Sequence, residues 1–86
     1  VSYAIVWQPN AVDELAAIWL HVSDRTGLTQ IAELLERHLS TDPRGKGESR
    51  IGTQRIYFLP PLGVRYEVIE DDRQVRILAV WLTQSF

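Results

Sequence analysis

The sequence predicts a small α+β protein of order β-α-α-β-β-β, with a helical hairpin packed on one face of a small, mostly antiparallel sheet. Three observations carry this reading. In "GVRYEVIEDDRQVRILAVW", Gly63 to Trp81, apolar residues fall on every second position: Val64, Tyr66 and Val68, then Val75, Ile77, Ala79 and Trp81. That is the period of a half-buried hairpin around an acidic turn. Two earlier segments show helical spacing instead, and a loop bearing proline and glycine separates the two regimes. Laying the helices over one sheet face buries both sets of apolar stripes.

The elements follow in order. "SYAIVWQ", Ser2 to Gln8, is rich in β-branched and aromatic residues and reads as a first strand. Pro9 stops it, and Asn10 is placed to cap a helix, with Asp13 in its first turn. Val12, Leu15, Ala16, Trp19 and Val22 make a stripe at three- and four-residue spacing. The helix is expected to end near "SDRTG", where Gly27 interrupts the pattern. A second helix, about Leu28 to Leu39, buries Leu28, Ile31, Ala32, Leu35 and Leu39 and turns Glu33, Glu36 and Arg37 outward. "STDPRGKGES" reads as a flexible basic loop without phosphate-loop spacing. Strands follow at about Gln54–Leu59, Leu62–Ile69 and Gln74–Leu82, joined by "PPLG" and "EDDR".

Eighty-six residues, 45% hydrophobic and 23% charged, describe one globular domain, 1–86, and not a disordered tail. The absence of cysteine excludes disulfides, thiolate metal sites and cysteine nucleophiles, and suits a cytoplasmic setting. No apolar run approaches the ~20 residues of a membrane span, and no signal peptide is visible. The chain starts at Val1 without a methionine, so natural residues are expected to precede it. The net charge of −2 conceals an asymmetry: residues 1–42 carry two basic and six acidic groups, residues 43–86 seven basic and five acidic. Arg44, Lys46, Arg50, Arg55 and Arg65 face a single acid, Glu48, over the same stretch. An acidic helical half and a basic sheet half can serve different partners.

On alternation, the uncovered sheet face carries Arg55 and Tyr57 from one strand, Arg65 and Glu67 from the next, and Arg76 from the last. The plain reading of Arg65, Glu67 and Arg76 is a set of cross-strand ion pairs. His21 and His38 lie on different helices without carboxylates at ligand spacing, so no metal site is expected. "EDD" at 70–72 reads as a turn. Trp7, Trp19 and Trp81 read as core residues, Trp81 being nearest a strand end.

Three phrases in this order, "AVDELAAIWLHVSDR", "IAELLERHLSTDPRGKGESR" and "LGVRYEVIEDDRQVRILAVW", resemble the RelE/ParE toxin superfamily, often labelled plasmid stabilization proteins. The resemblance spans essentially the whole chain. It implies the toxin of a type II toxin–antitoxin module, neutralised by a small antitoxin protein and using no cofactor. RelE-like members are ribosome-dependent mRNA endonucleases that use basic residues and a tyrosine on the open sheet face; ParE-like members poison DNA gyrase.

The nuclease pattern fits poorly. Gly63 stands where RelE-like enzymes usually carry an arginine, and the tail Leu82–Phe86 lacks their basic and tyrosine groups. The arginine common after the final strand in ParE-like members is missing as well. Arg50, Arg55, Tyr57 and Arg65 remain as nuclease candidates. Cleavage through a 2′-hydroxyl needs a base, a charge clamp and a leaving-group acid, and a guanidinium supplies only the clamp. A net-acidic chain also suits RNA poorly. The expectation is therefore a ParE-like toxin that acts by binding a target of the gyrase class. Its expected binding residues, toward target or antitoxin, are Arg44, Lys46, Arg50, Arg55, Arg65, Arg76 and Trp81. The alternatives are a RelE-like endonuclease working with ribosome and mRNA, or a non-toxic relative that keeps only its antitoxin.

Overall fold

A computed structural model describes residues 2–86. Strand β1 (Ala4–Trp7) leads into helices α1 (Pro9–His21) and α2 (Arg25–Thr41). A single turn α3 (Pro43–Lys46), a short β2 (Glu48–Ser49) and strands β3 (Gln54–Leu59), β4 (Leu62–Ile69) and β5 (Gln74–Leu82) complete the order. The sheet runs β1-β5-β4-β3-β2, with β1 parallel to β5 and every other pair antiparallel. The long strands keep the bounds their alternation predicts; α3 and β2 arise inside the stretch that reads as a loop.

Helix starts differ from expectation in an instructive way. Pro9, whose missing N–H costs nothing at the first helical position, opens α1 after Gln8. Asn10 is not the cap; its amide Nδ2 donates to the carbonyl of Leu78, 2.6 Å away, and ties the helix to β5. Gly27 does not end the first helix but sits in the first turn of the second. Its N–H donates to the Asp24 carboxylate at 2.8 Å, and a Cβ there would stand 2.3 Å from that carboxylate's other oxygen. Asp42 caps α3 through Gly45 in the same manner, at 3.0 Å. The Asp-x-x-Gly spacing, present twice, marks two helix starts.

One apolar cluster holds the layers together. Leu28, Leu35 and Leu39 of α2 and Ala11 and Val22 from α1 and its end meet Leu62, Val64, Tyr66 and Val68 of β4 and Val75, Ile77 and Val80 of β5. Leu15 and Ile31 pack on its margin. The buried Tyr66 hydroxyl donates to the carbonyl of Pro43 at 2.6 Å, fastening α3 to the sheet.

Three faces are turned relative to the sequence reading. Helix α1 is apolar on two sides; Ala11, Leu15, Ile18 and Val22 face inward, and Trp19, expected in the core, is 42% exposed. In β5 the register jumps: Tyr66 pairs with Ile77 but Arg65 with Ala79, leaving Leu78 as a bulge. A bulge reverses the alternation beyond it. Val80 and Leu82 therefore turn to the core, while Ala79 and Trp81 turn to the open face. Strand β3 is inverted too: Arg55 lies opposite Tyr66 and Tyr57 opposite Val64, so both face the helices and Ile56 and Phe58 face out.

Candidate functional site: the open sheet face

The uncovered face is built from cross-strand rows. Phe58, Gly63 and Trp81 stand abreast on β3, β4 and β5. With no side chain at Gly63, the Trp81 indole folds across the gap and meets Phe58 edge to face, 6.1 Å between centroids. Phe58 remains 50% exposed. The next row holds Glu48, Ile56, Arg65 and Ala79, and a further one Gln54, Glu67 and Arg76.

The expected cross-strand ion pairs do not form. Glu67 accepts from the Thr53 hydroxyl at 3.3 Å, and Arg76 donates its Nε to the Gln74 side chain at 2.8 Å. Among the described residues no carboxylate reaches ion-pair distance of Arg65 or Arg76. Two guanidiniums without carboxylate partners thus share the face with a half-exposed aromatic pair, Arg65 one row and Arg76 two rows from it, a combination suited to acidic or aromatic surfaces.

The remaining sequence candidates separate from this face. The guanidinium of Arg55 is occupied on the helix side: its terminal nitrogens donate to the Ser49 hydroxyl at 2.9 Å, to the Arg44 carbonyl at 2.6 Å and to the Gly47 carbonyl. It clasps the α3–β2 segment, which is why that stretch is ordered and not a free loop. Tyr57 shares a hydrogen bond with His38 Nδ1 at 2.8 Å, and burial raises its hydroxyl pKa. His38, in the last turn of α2, is therefore a partly buried partner of the sheet. Arg44 pairs with Glu70, which also accepts from the Tyr3 hydroxyl at 2.9 Å. The Arg44 hydrogen bond, then that of Tyr3, holds the Glu70 carboxyl below the usual carboxylate range. Glu70 thus ties β1, α3 and the 70–73 turn, beyond being a turn residue. Arg50 pairs with Glu48 at 3.3 Å, and Lys46 is exposed on α3. Of the seven expected binding residues, Arg65, Arg76 and Trp81 share the open face and Arg50 reaches its β2 edge through Glu48; Phe58 joins them, and the sequence reading missed it. Among the described residues no three histidine or carboxylate side chains gather as metal ligands, and no helix is long and apolar enough to cross a membrane.

Two helices on one side of a five-stranded mixed sheet, with the other side open, is the architecture of the RelE/ParE superfamily. The fold is similar to that in the crystal structure of the toxin–antitoxin complex RelBE2 from Mycobacterium tuberculosis, with a TM-score of 0.78 at 20% identity over 95% of this chain and 99% of that one. The chain belongs to the ParE family: the model of the ParE toxin of the type II toxin–antitoxin system parDE matches residues 5–84. No curated protein matches its sequence closely enough to count as a relative.

Proposed function

We propose that this chain acts by binding, not by cutting: a ParE-like toxin whose open sheet face engages a cellular protein target of the gyrase class, held inactive by a cognate antitoxin. The observation that carries this reading is the chemical content of that face. Among the described residues Arg65 and Arg76 stand free of ion pairs, one and two rows from Phe58 and Trp81, and the other titratable groups in those rows are the carboxylates Glu48 and Glu67. A carboxylate can take a proton from a 2′-hydroxyl. Returning one to a leaving group needs a positioned acid, and no histidine, lysine or tyrosine stands on those rows. Tyr57 and His38, the pair with acid–base chemistry, sit on the helix side. The RelBE2 complex supports an antitoxin partner by analogy of fold.

Induced expression with and without the product of the adjacent reading frame tests this. Growth arrest relieved by the partner, with relaxed or broken DNA and intact mRNA, is the expected result. Ribosome-dependent mRNA cleavage by the purified protein overturns the reading.

A further inference from the structure

Strand β1 stops at Trp7, and its ladder to β5 closes with the Gln8 N–H on the Ile77 carbonyl at 2.9 Å. Strand β5 runs on to Leu82, so from Leu78 onward the edge that faced β1 has no strand beside it. Backbone groups on such an edge need other partners. Two side chains of α1 supply them. Asn10 donates its Nδ2 to the Leu78 carbonyl at 2.6 Å, and Glu14 Oε1 accepts from the Val80 N–H at 3.1 Å. A carbonyl only accepts and an N–H only donates, so the roles are fixed: a donor at 10, an acceptor at 14. The spacing fits as well. Four residues of helix rise about 6 Å and two residues of strand about 6.7 Å, so one turn of α1 matches the span from Leu78 to Val80. Neither side chain makes another hydrogen bond or ion pair among the described residues.

These two bonds bracket the point where β5 changes face. Leu78 is the extra residue of the bulge, Ala79 pairs with Arg65, and Trp81 pairs with Gly63. Without the bulge the register set by Tyr66 and Ile77 would run on unbroken. Trp81 would then stand opposite the buried Leu62, and Val80 opposite Gly63. The ladder is weakest at a bulge, and there α1 holds it from outside.

We infer that Asn10 and Glu14 are positioning residues for the open face: from α1 they fix the β5 bulge and so hold Trp81 over Gly63, beside Phe58. The use of Trp81 in target binding rests on the function proposed above; its placement by α1 does not.

Protein labelled with fluorotryptophan gives one fluorine NMR resonance for each of its three tryptophans, and Trp81→Phe assigns the one that matters. Asn10→Ala and Glu14→Ala should shift the Trp81 resonance further than those of Trp7 and Trp19. In Glu14→Ala the Val80 amide should also exchange about tenfold faster or more. Glu14→Gln keeps an acceptor and should restore both readouts. Asn10→Asp is the sharper arm. A carboxylate in the first turn favours a helix, so a role confined to α1 predicts an undisturbed protein. Facing the Leu78 carbonyl it has nothing to donate, so the Trp81 resonance should shift at least as far as in Asn10→Ala. Both positions are exposed, and circular dichroism checks that each variant folds. Growth arrest should weaken in Glu14→Ala and Asn10→Asp in the direction of Trp81→Ala, and recover in Glu14→Gln. Full growth arrest by Trp81→Ala itself would remove Trp81 from the proposed binding face, while the resonance and exchange measurements still decide what α1 does. A Trp81 resonance unmoved by Glu14→Ala and Asn10→Asp, or Glu14→Gln behaving as Glu14→Ala, overturns the inference.

Discussion

The indole of Trp81 occupies the space that a side chain at Gly63 would need: a Cβ there would lie 2.7 Å from two of its atoms. Gly63 is thus more than a missing arginine. The two residues are register partners, and the tryptophan covers the glycine as cross-strand aromatics do. Any side chain at 63 has to evict the ring.

Gly63→Ala is accordingly expected to destabilise the fold by about 1–3 kcal/mol, the range for overpacking, and to shift Trp81 emission to the red. The same substitution in a Trp81→Leu background should cost clearly less, because the clash is with the indole. Additive losses in a denaturant-melting cycle would mean the ring does not rest on Gly63. Gly63→Arg should expose Trp81 in the same way without creating ribosome-dependent cleavage.

The two tryptophan-bearing and leucine-bearing faces of the helices separate by stability. Leu35 is fully buried, so Leu35→Ala should cost about 2–5 kcal/mol and leave little of so small a domain folded. Trp19, 42% exposed on the outer side of α1 under the Arg25 guanidinium, should lose clearly less than Leu35 when cut to alanine, despite being the larger side chain. Denaturant midpoints of the two variants decide the phase of α1. Tyr66→Phe removes a buried donor from the Pro43 carbonyl and should cost about 1–3 kcal/mol.

Period and turn chemistry made the long strands and the second helix's ridge legible in the sequence, because β4 and β5 alternate cleanly and Leu28, Leu35 and Leu39 have no polar competitor on their face. Sidedness was harder. In "QRIYFL" the apolar Ile56 and Phe58 look like the core, yet the two-residue turn Pro60–Pro61 pairs Leu59 with Leu62 and forces Tyr57 and Arg55 opposite Val64 and Tyr66. Counting across that tight turn from the inward residues of β4 gives the right face. The Leu78 bulge leaves no such trace in the pattern, so Trp81 and Ala79 could not be placed from alternation alone. Helix α1 is apolar nearly all round, and only packing chooses between its stripes. The candidate site was therefore half visible: Arg65, Arg76 and Trp81 were named, Phe58 was not, and Arg55 belongs to the clasp under α3.

Glu70 gives a pH-dependent tie. Its carboxyl is held low by Arg44 and then Tyr3, so the stability it lends is present above the unfolded carboxylate range and is lost as pH falls through the lower folded one. Glu70→Gln should lower the melting temperature at pH 7, and the difference should shrink progressively as the pH falls below the ordinary carboxylate range. Hydrogen exchange in α3 and the 70–73 turn should rise at neutral pH in the variant. A melting difference that persists unchanged in acid would show that the residue works through packing instead.

The open face can be separated from the helix-side residues by toxicity. Arg65→Ala removes an exposed guanidinium and Arg76→Ala a half-buried one bonded to Gln74, neither with a carboxylate partner among the described residues, so the loss should stay within about 0.5 kcal/mol for Arg65 and about 1.5 kcal/mol for Arg76. If that face grips the target, each should weaken growth arrest, and the pair more than either. Phe58→Ala should weaken it further by removing an exposed anchor of the kind that dominates protein interfaces. Tyr57→Phe is the control from the other side of the sheet. It loses only the bond to His38, so a small stability loss with full toxicity is expected. Full toxicity in Arg65→Ala/Arg76→Ala, matched by its loss in Tyr57→Phe at undiminished folding, would move the working surface to the helix side and bring Tyr57 and His38 back as chemical groups.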